Sequence, residues 1–262
     1  MSSIINIAEK IETAKPNVGK VALFYLGQAG FLMKGADGVT VLLDPYFSDE
    51  ANRLFGFKRM SPPLTGWEKI EPDIFCATHA HIDHLDTVSL PTFASCAKTF
   101  FLGAPDCVEA FRTAGIDPER SAILREGESW TGKGVKIRAL YADHGELAPD
   151  ANGLLVEIGG KKIAFTGDTA YRPEKFADSL HSEIDLLVAP INGQFGNMNA
   201  DEACRLAEHL RPKSVVACHF WMFLEHVAAG GIGDPVTFLA NAPQLCPSVK
   251  PIVMAPGEML EI

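Results

Sequence analysis

The chain has no run of lysines or arginines, no Cys-x-x-Cys pair, and no apolar stretch near the roughly 18 residues a membrane-spanning helix requires. The missing basic stripe, set against a formal net charge of −10, argues against a nucleic-acid partner, because phosphate backbones are held by clustered Lys and Arg. The missing apolar run argues against a membrane partner in the same way. The six cysteines (Cys76, Cys96, Cys107, Cys204, Cys218 and Cys246) are scattered and mostly set among apolar residues, as buried reduced thiols are. Residues 1–20 mix apolar, acidic and basic side chains without the apolar centre of a secretion signal. A cytoplasmic location is therefore expected. There is also no internal repeat, low-complexity tract or long linker, so residues 1–262 are expected to fold as a single domain.

What is present is core material. Hydrophobic residues make up 47% and charged residues 21% of 262 positions, enough to bury a sizeable interior. The first part reads as short strands between glycine turns: Val21 to Leu26, Phe31 to Lys34 and Val39 to Leu43, the last ended by Asp44-Pro45. An irregular stretch from Tyr46 to about Ile70 is long enough to be a lid or wall. From Ile74 strands alternate with helices. Ile74 to Ala77, Thr99 to Leu102, Val135 to Leu140, Gly153 to Ile158, Lys162 to Thr166, Ile184 to Ala189 and Val215 to Cys218 are strand-like. Helices are expected from near Thr87, over Pro105 to Ala114, from an Asn199 cap to Leu210, and around Val236 to Leu239. Strands followed by β/α alternation imply two sheets with helices outside, an α/β sandwich.

The chemistry concentrates in Thr78-His79-Ala80-His81-Ile82-Asp83-His84, directly after the strand Ile74 to Ala77. Three imidazoles and a carboxylate so close together would make poor core, since each buried ring needs its own hydrogen-bond partner. They make good ligands for zinc, manganese or iron, and no neighbouring cysteine favours a softer metal. His144, Asp168 and His219 follow the strands Val135 to Leu140, Lys162 to Thr166 and Val215 to Cys218. Each is a ligand-type residue placed where a strand gives way to a loop, the usual position of α/β binding sites.

This order of motifs resembles the metallo-β-lactamase superfamily across nearly the whole chain. Within it, Leu26-Gly27-Gln28-Ala29-Gly30-Phe31, Asp44-Pro45-Tyr46, Phe57-Lys58-Arg59 and Pro190-Ile191-Asn192-Gly193 resemble the L-ascorbate-6-phosphate lactonase-like group of metal-dependent hydrolases. The resemblance implies a four-layer αββα sandwich and two divalent metal ions, zinc or manganese, with iron also compatible. It implies that His79, His81 and His144 hold one ion, that Asp83, His84 and His219 hold the other, and that Asp168 bridges them. Asp83 and Asp168 then become the catalytic carboxylates, Asp83 by orienting the nucleophile and passing on its proton. Members of the superfamily that reduce oxygen or nitric oxide typically carry a carboxylate at the place of His81, which disfavours redox chemistry here.

Four residues are candidate substrate contacts. Lys58 and Arg59 lie in the long loop and could hold an anionic group. Asn192 and Asn197 precede the helix beginning after Asn199, a natural anion site. Asp44 is a candidate to fix the tautomer of a ligand imidazole. The expected partner is thus a small molecule, anionic groups being tolerable where metal ions supply the positive field. Assembly into a homo-oligomer is compatible with this size. The leading expectation is a hydrolase that opens a lactone or related ester, including a phosphorylated sugar lactone. A small-molecule phosphodiesterase is the alternative, and a non-catalytic metal-binding protein the third reading.

Overall fold

In a computed structural model that describes residues 6–228 and 233–262, two seven-stranded sheets lie face to face with helices on both outer sides. The first half supplies β1 (Val21–Gly27), β2 (Gly30–Gly35), β3 (Thr40–Leu43), β4 (Ile74–Ala77), β5 (Phe100–Gly103) and β6 (Ser121–Ile123). The second half supplies β7 (Ser129–Gly132), β8 (Val135–Leu140), β9 (Gly153–Ile158), β10 (Lys161–Phe165), β11 (Leu186–Pro190), β12 (Ser214–Cys218) and β13 (Lys250–Ile252). The last strand, β14 (Met259–Glu261), crosses back to pair with β1. Both sheets show one direction pattern, three antiparallel pairs followed by three parallel ones. No sequence repeat announces this pattern; it lives in the backbone.

The helices are α1 (Ile7–Thr13), α2 (Glu50–Phe55), α3 (Leu90–Ala94), α4 (Val108–Thr113), α5 (Pro173–Leu180), α6 (Ala200–Leu210), α7 (Leu224–Ala228) and α8 (Pro235–Leu245). The central strands are apolar on both faces because both faces are covered. In β1, Val21, Leu23 and Tyr25 pack between the sheets, while Ala22, Phe24 and Leu26 pack under outer helices with Ile7, Phe93 and Phe111. On the other side Leu187 and Ala189 of β11 meet Ala203, Leu206 and Phe238 of α6 and α8. This is the αββα sandwich expected from the sequence.

Local chemistry sets the helix ends. Asn199 Oδ1 accepts from Glu202 N at 3.0 Å and the Glu202 carboxylate accepts from Asn199 N at 3.0 Å, a reciprocal cap that starts α6. The helix expected near Thr87 begins only at Leu90, because Asp86 Oδ1 accepts from Val88 N at 3.1 Å and holds a turn first. Around Val236 the helix is longer than expected, running to Leu245 through Pro243, with Phe238 and Ala242 buried beneath it. The stretch from Tyr46 to Ile70 is less irregular than expected, for it contains α2 and a short turn of 3-10 helix at Trp67–Lys69. Strands β6, β7, β13 and β14 escape a period-2 reading because they are three or four residues long. β13 also carries Pro251, which suits only its edge position.

Candidate metal centre

The strands β1, β3, β4, β8, β10, β11 and β12 run one way, and their carboxyl ends meet along a single edge of the sandwich. Gln28, Asp44, His79, His144, Asp168, Asn192 and His219 all follow those ends within a few residues. Residues far apart in sequence thus converge without any helix or long loop having to reach for them. The string itself is a tight turn, with His84 N and Leu85 N both donating to His81 O. Ala80 N donates to Asp106 Oδ2 at 3.0 Å, which anchors the turn to the strand-end loop after β5.

Seven side chains gather there in three overlapping groups: His79, His81 and His144; His79, His84 and Asp168; Asp83, His84 and His219. In each, one ligand atom per residue lies within 4.8 Å of the others. The hydrogen bonds behind the donors fix which ring nitrogens carry lone pairs. Asp44 Oδ1 accepts from Thr78 N at 2.8 Å, and Asp44 Oδ2 accepts from Thr78 Oγ1 at 2.7 Å and His84 Nδ1 at 2.8 Å. With its only proton given to Asp44, Thr78 Oγ1 accepts from His79 Nδ1 at 3.1 Å. His81 Nε2 donates to Leu147 O at 3.0 Å. The neutral tautomers so defined point the lone pairs of His79 Nε2, His81 Nδ1 and His84 Nε2 inward.

In those neutral tautomers the facing nitrogens have no proton to share. His79 Nε2 and His81 Nδ1 face each other at 2.9 Å, and His144 Nε2 lies 3.3 Å from His81 Nδ1. His84 Nε2 and Asp168 Oδ1, 3.3 Å apart, are both buried and have no hydrogen-bond partner among the described residues. His219 Nε2 stands 3.3 Å from both Asp83 Oδ2 and Asp168 Oδ2. Buried acceptors crowded in this way need a cation between them, and nitrogen and carboxylate oxygen are what zinc, manganese and iron take. The donor set fits.

The charges agree. Burial alone would lower His84 and His219, yet the Asp168, Asp44 and Asp83 carboxylates outweigh it and hold His84 well above the ordinary imidazole range. His219 is likewise raised, to about 9, by Asp168 and Asp83. Burial would raise Asp168, but His219 and His84 hold its carboxyl well below the usual range. His79, buried and facing His84, is pushed down, as burial also pushes His144. Without an ion, protons are thus drawn onto the His84 and His219 side of the cluster.

Two contacts escaped the sequence reading. Gln28 Nε2 donates to Asp83 Oδ2 at 2.8 Å and lies 3.1 Å from His219 Nε2, while Gln28 O accepts from His219 N at 2.8 Å. Asn197, a candidate substrate contact, lies at the cluster, where its Nδ2 donates to Asp168 Oδ2 at 2.7 Å. Asn192 is buried at the same edge. Lys58 and Arg59 are not brought to the donors. They line a surface groove with Phe47, Asn52 and Pro62 that contains none of the seven. Arg59 Nη1 donates to Tyr46 O and Ser48 O at 3.1 Å each, and its guanidinium lies 4.8 Å from the centre of the Tyr46 ring. That cation is committed to the backbone it folds over.

Comparison with known proteins decides the family. The model of the β-lactamase superfamily domain matches residues 22–219, from the second residue of β1 to His219. The chain belongs to the metallo-β-lactamase superfamily. A UPF0173 metal-dependent hydrolase of Polynucleobacter asymbioticus is 30% identical over 223 residues, covering 77% of this chain and 75% of that protein. The chain belongs to that family as well. Among solved structures, Igni18, a metallo hydrolase from Ignicoccus hospitalis, superposes with a TM-score of 0.72 at 20% identity, covering 93% of this chain and 98% of the other. An isothiocyanate hydrolase from Delia radicum gut bacteria gives a TM-score of 0.71 at 19% identity, covering 91% and 98%. At such identities the two structures speak for the fold. No helix among the described residues is long and apolar enough to cross a membrane.

Proposed function

We propose that this metallo-β-lactamase-fold chain is a binuclear hydrolase that opens a lactone or related ester. The observation that carries the reading is the convergence of five imidazoles with Asp83 and Asp168 in one largely buried cluster. His79, His81 and His144 would hold one ion, Asp83, His84 and His219 the second, with Asp168 reaching both. Bound divalent ions lower the pKa of water towards about 7 and polarise a carbonyl oxygen.

The chain's own groups supply the rest. Asp44 and Thr78 lock two imidazoles in the tautomers that bind metal. Asn197 donates to Asp168 and Gln28 to Asp83, holding each carboxylate in place. Asp83 is the more open of the two carboxylates, with 18% of its side chain exposed against 6% for Asp168. It can therefore meet water and substrate, orient the attacking oxygen and carry its proton to the leaving alcohol. Water adds its oxygen to the carbonyl carbon, the acyl C–O bond breaks, and the products are a carboxylate and an alcohol.

Lys58 and Arg59 lie in another groove, so beyond the metal ions themselves neither basic candidate would meet a substrate phosphate, and a neutral lactone or ester is favoured over a phosphorylated sugar lactone. A panel of neutral lactones, linear esters, a phosphorylated lactone and phosphodiesters, assayed before and after chelation, tests this. Chelator-sensitive turnover of neutral cyclic or linear esters supports the reading. Preference for phosphodiesters would replace it with phosphodiesterase chemistry.

A further inference from the structure

Beside the donors stands a wall of rings. His226 lies 4.5 Å from Phe57, 5.1 Å from Phe195 and 5.3 Å from Phe223, measured between ring centres. Phe57 is in turn 5.9 Å from Phe223 and 6.5 Å from Phe195. The wall continues outward through Phe55, 5.7 Å from Phe57 and 61% exposed. It adjoins the metal centre, because Phe223, His226 and Trp221 share with Gln28, Asn192 and His219 the lining of a cavity of about 10 Å³, room for one water. An apolar chain would therefore lie over the outer face formed by Phe57, Phe195 and Trp221 and send only a polar atom inward. Among the described residues lining that cavity there is no lysine, arginine, aspartate or glutamate.

Three further features make the wall a binding surface. Phe195 and Trp221 have φ of +54° and +52°, uncommon for bulky residues, and each keeps about half its surface in solvent, 49% and 48%. Large apolar side chains grouped around a cleft mark a place where something apolar docks. At the cavity floor Asn192 is only 6% exposed, yet neither its Oδ1 nor its Nδ2 has a partner among the described residues. A buried amide left free is costly unless a ligand completes it.

We propose that this wall selects the substrate: a neutral ester or lactone whose apolar chain or ring lies along Phe57, Phe195, Phe223 and His226, with Asn192 hydrogen-bonding a polar group next to the reacting carbonyl. The inference rests on the ester-hydrolase reading above and adds the class of substrate.

The test uses the full chain loaded with metal and a series of neutral lactones whose alkyl substituent grows from methyl to decyl. The expected result is a kcat/KM rising about fourfold per methylene until the wall is covered, the worth of one buried CH2. Phe57→Ser and Phe195→Ser are expected to flatten that slope with metal content unchanged. Asn192→Leu is expected to lower kcat/KM about tenfold, in line with a lost hydrogen bond, also at unchanged metal content. Turnover that ignores chain length, or a slope the Phe57 and Phe195 variants leave intact, would overturn the wall while leaving the hydrolase reading standing. If no lactone or ester is turned over, the hydrolase reading fails, and calorimetric titration with alkyl cyclic ethers of the same lengths decides the wall separately. Affinity that climbs with chain length supports it, and flat affinity overturns it.

Discussion

The carboxylate of Asp44 accepts the Nδ1 proton of His84 at 2.8 Å, and Thr78 relays the same carboxylate to His79. One residue at the end of β3 thus sets the tautomer of imidazoles in both halves of the donor cluster. Asp44→Ala should lower metal affinity by about 10–100-fold, the usual loss when a partner behind a ligand is removed. Competition with a chromophoric chelator measures it, and unchanged affinity would show that the rings orient themselves.

Metal removal should also cost stability, because ions held by this cluster would bind the folded chain and not the unfolded one. At free metal about 1,000-fold above the dissociation constant, linkage adds about 4 kcal/mol. Chelation should lower the melting temperature, and that drop should shrink in Asp168→Asn, whose side chain faces His84, His144 and His219.

The metal-free chain has its own pH dependence. His219 is raised to about 9 by Asp168 and Asp83 acting against burial, and His84 is raised by the same kind of neighbours. A group raised on folding contributes stability that is complete below its unfolded value of about 6.5 and is lost as pH climbs through the folded one. The melting temperature in chelator should therefore fall between about pH 6.5 and 9, while the metal-loaded protein, in which ions replace those protons, should not follow it. Parallel curves for the two forms would contradict this account of the cluster.

The clustering of the His and Asp residues is legible in the sequence because their types are chemically specific and each follows a strand. Gln28 was not, because an amide carries no spacing signal and its partner His219 lies 191 residues away. Lys58 and Arg59 look alike on paper as loop cations, and only the fold shows Arg59 turned onto the carbonyls of Tyr46 and Ser48. The central strands were legible from apolar runs, whereas β13 and β14, three residues each at sheet edges, depend on pairing partners that no local pattern reveals. The aromatic wall was scattered over three segments, at 55–57, 195 and 223–226, and became one surface only on folding.

Arg59→Ala should accordingly act on stability. Losing donation to two backbone carbonyls and the Tyr46 ring contact should cost about 1–3 kcal/mol in urea unfolding. If Arg59 instead gripped a substrate anion, the variant would raise KM for anionic substrates at unchanged stability.

Gly167, just before Asp168, has φ +62°, and a Cβ there would sit 2.6 Å from Asn152 O. Gly167→Ala should therefore destabilise the chain by more than about 1 kcal/mol and displace Asp168, lowering metal content in the same purified sample. A fully metallated, fully stable variant would show that this turn tolerates a side chain.

The central claim is that seven side chains form a metal centre that activates water. The most direct measurement is the number of ions per chain by elemental analysis, paired with turnover of a neutral lactone before chelation, after it, and after metal return. The account predicts about two ions per chain and activity that disappears and comes back with them. No metal retained after reconstitution, or turnover untouched by its removal, would contradict it.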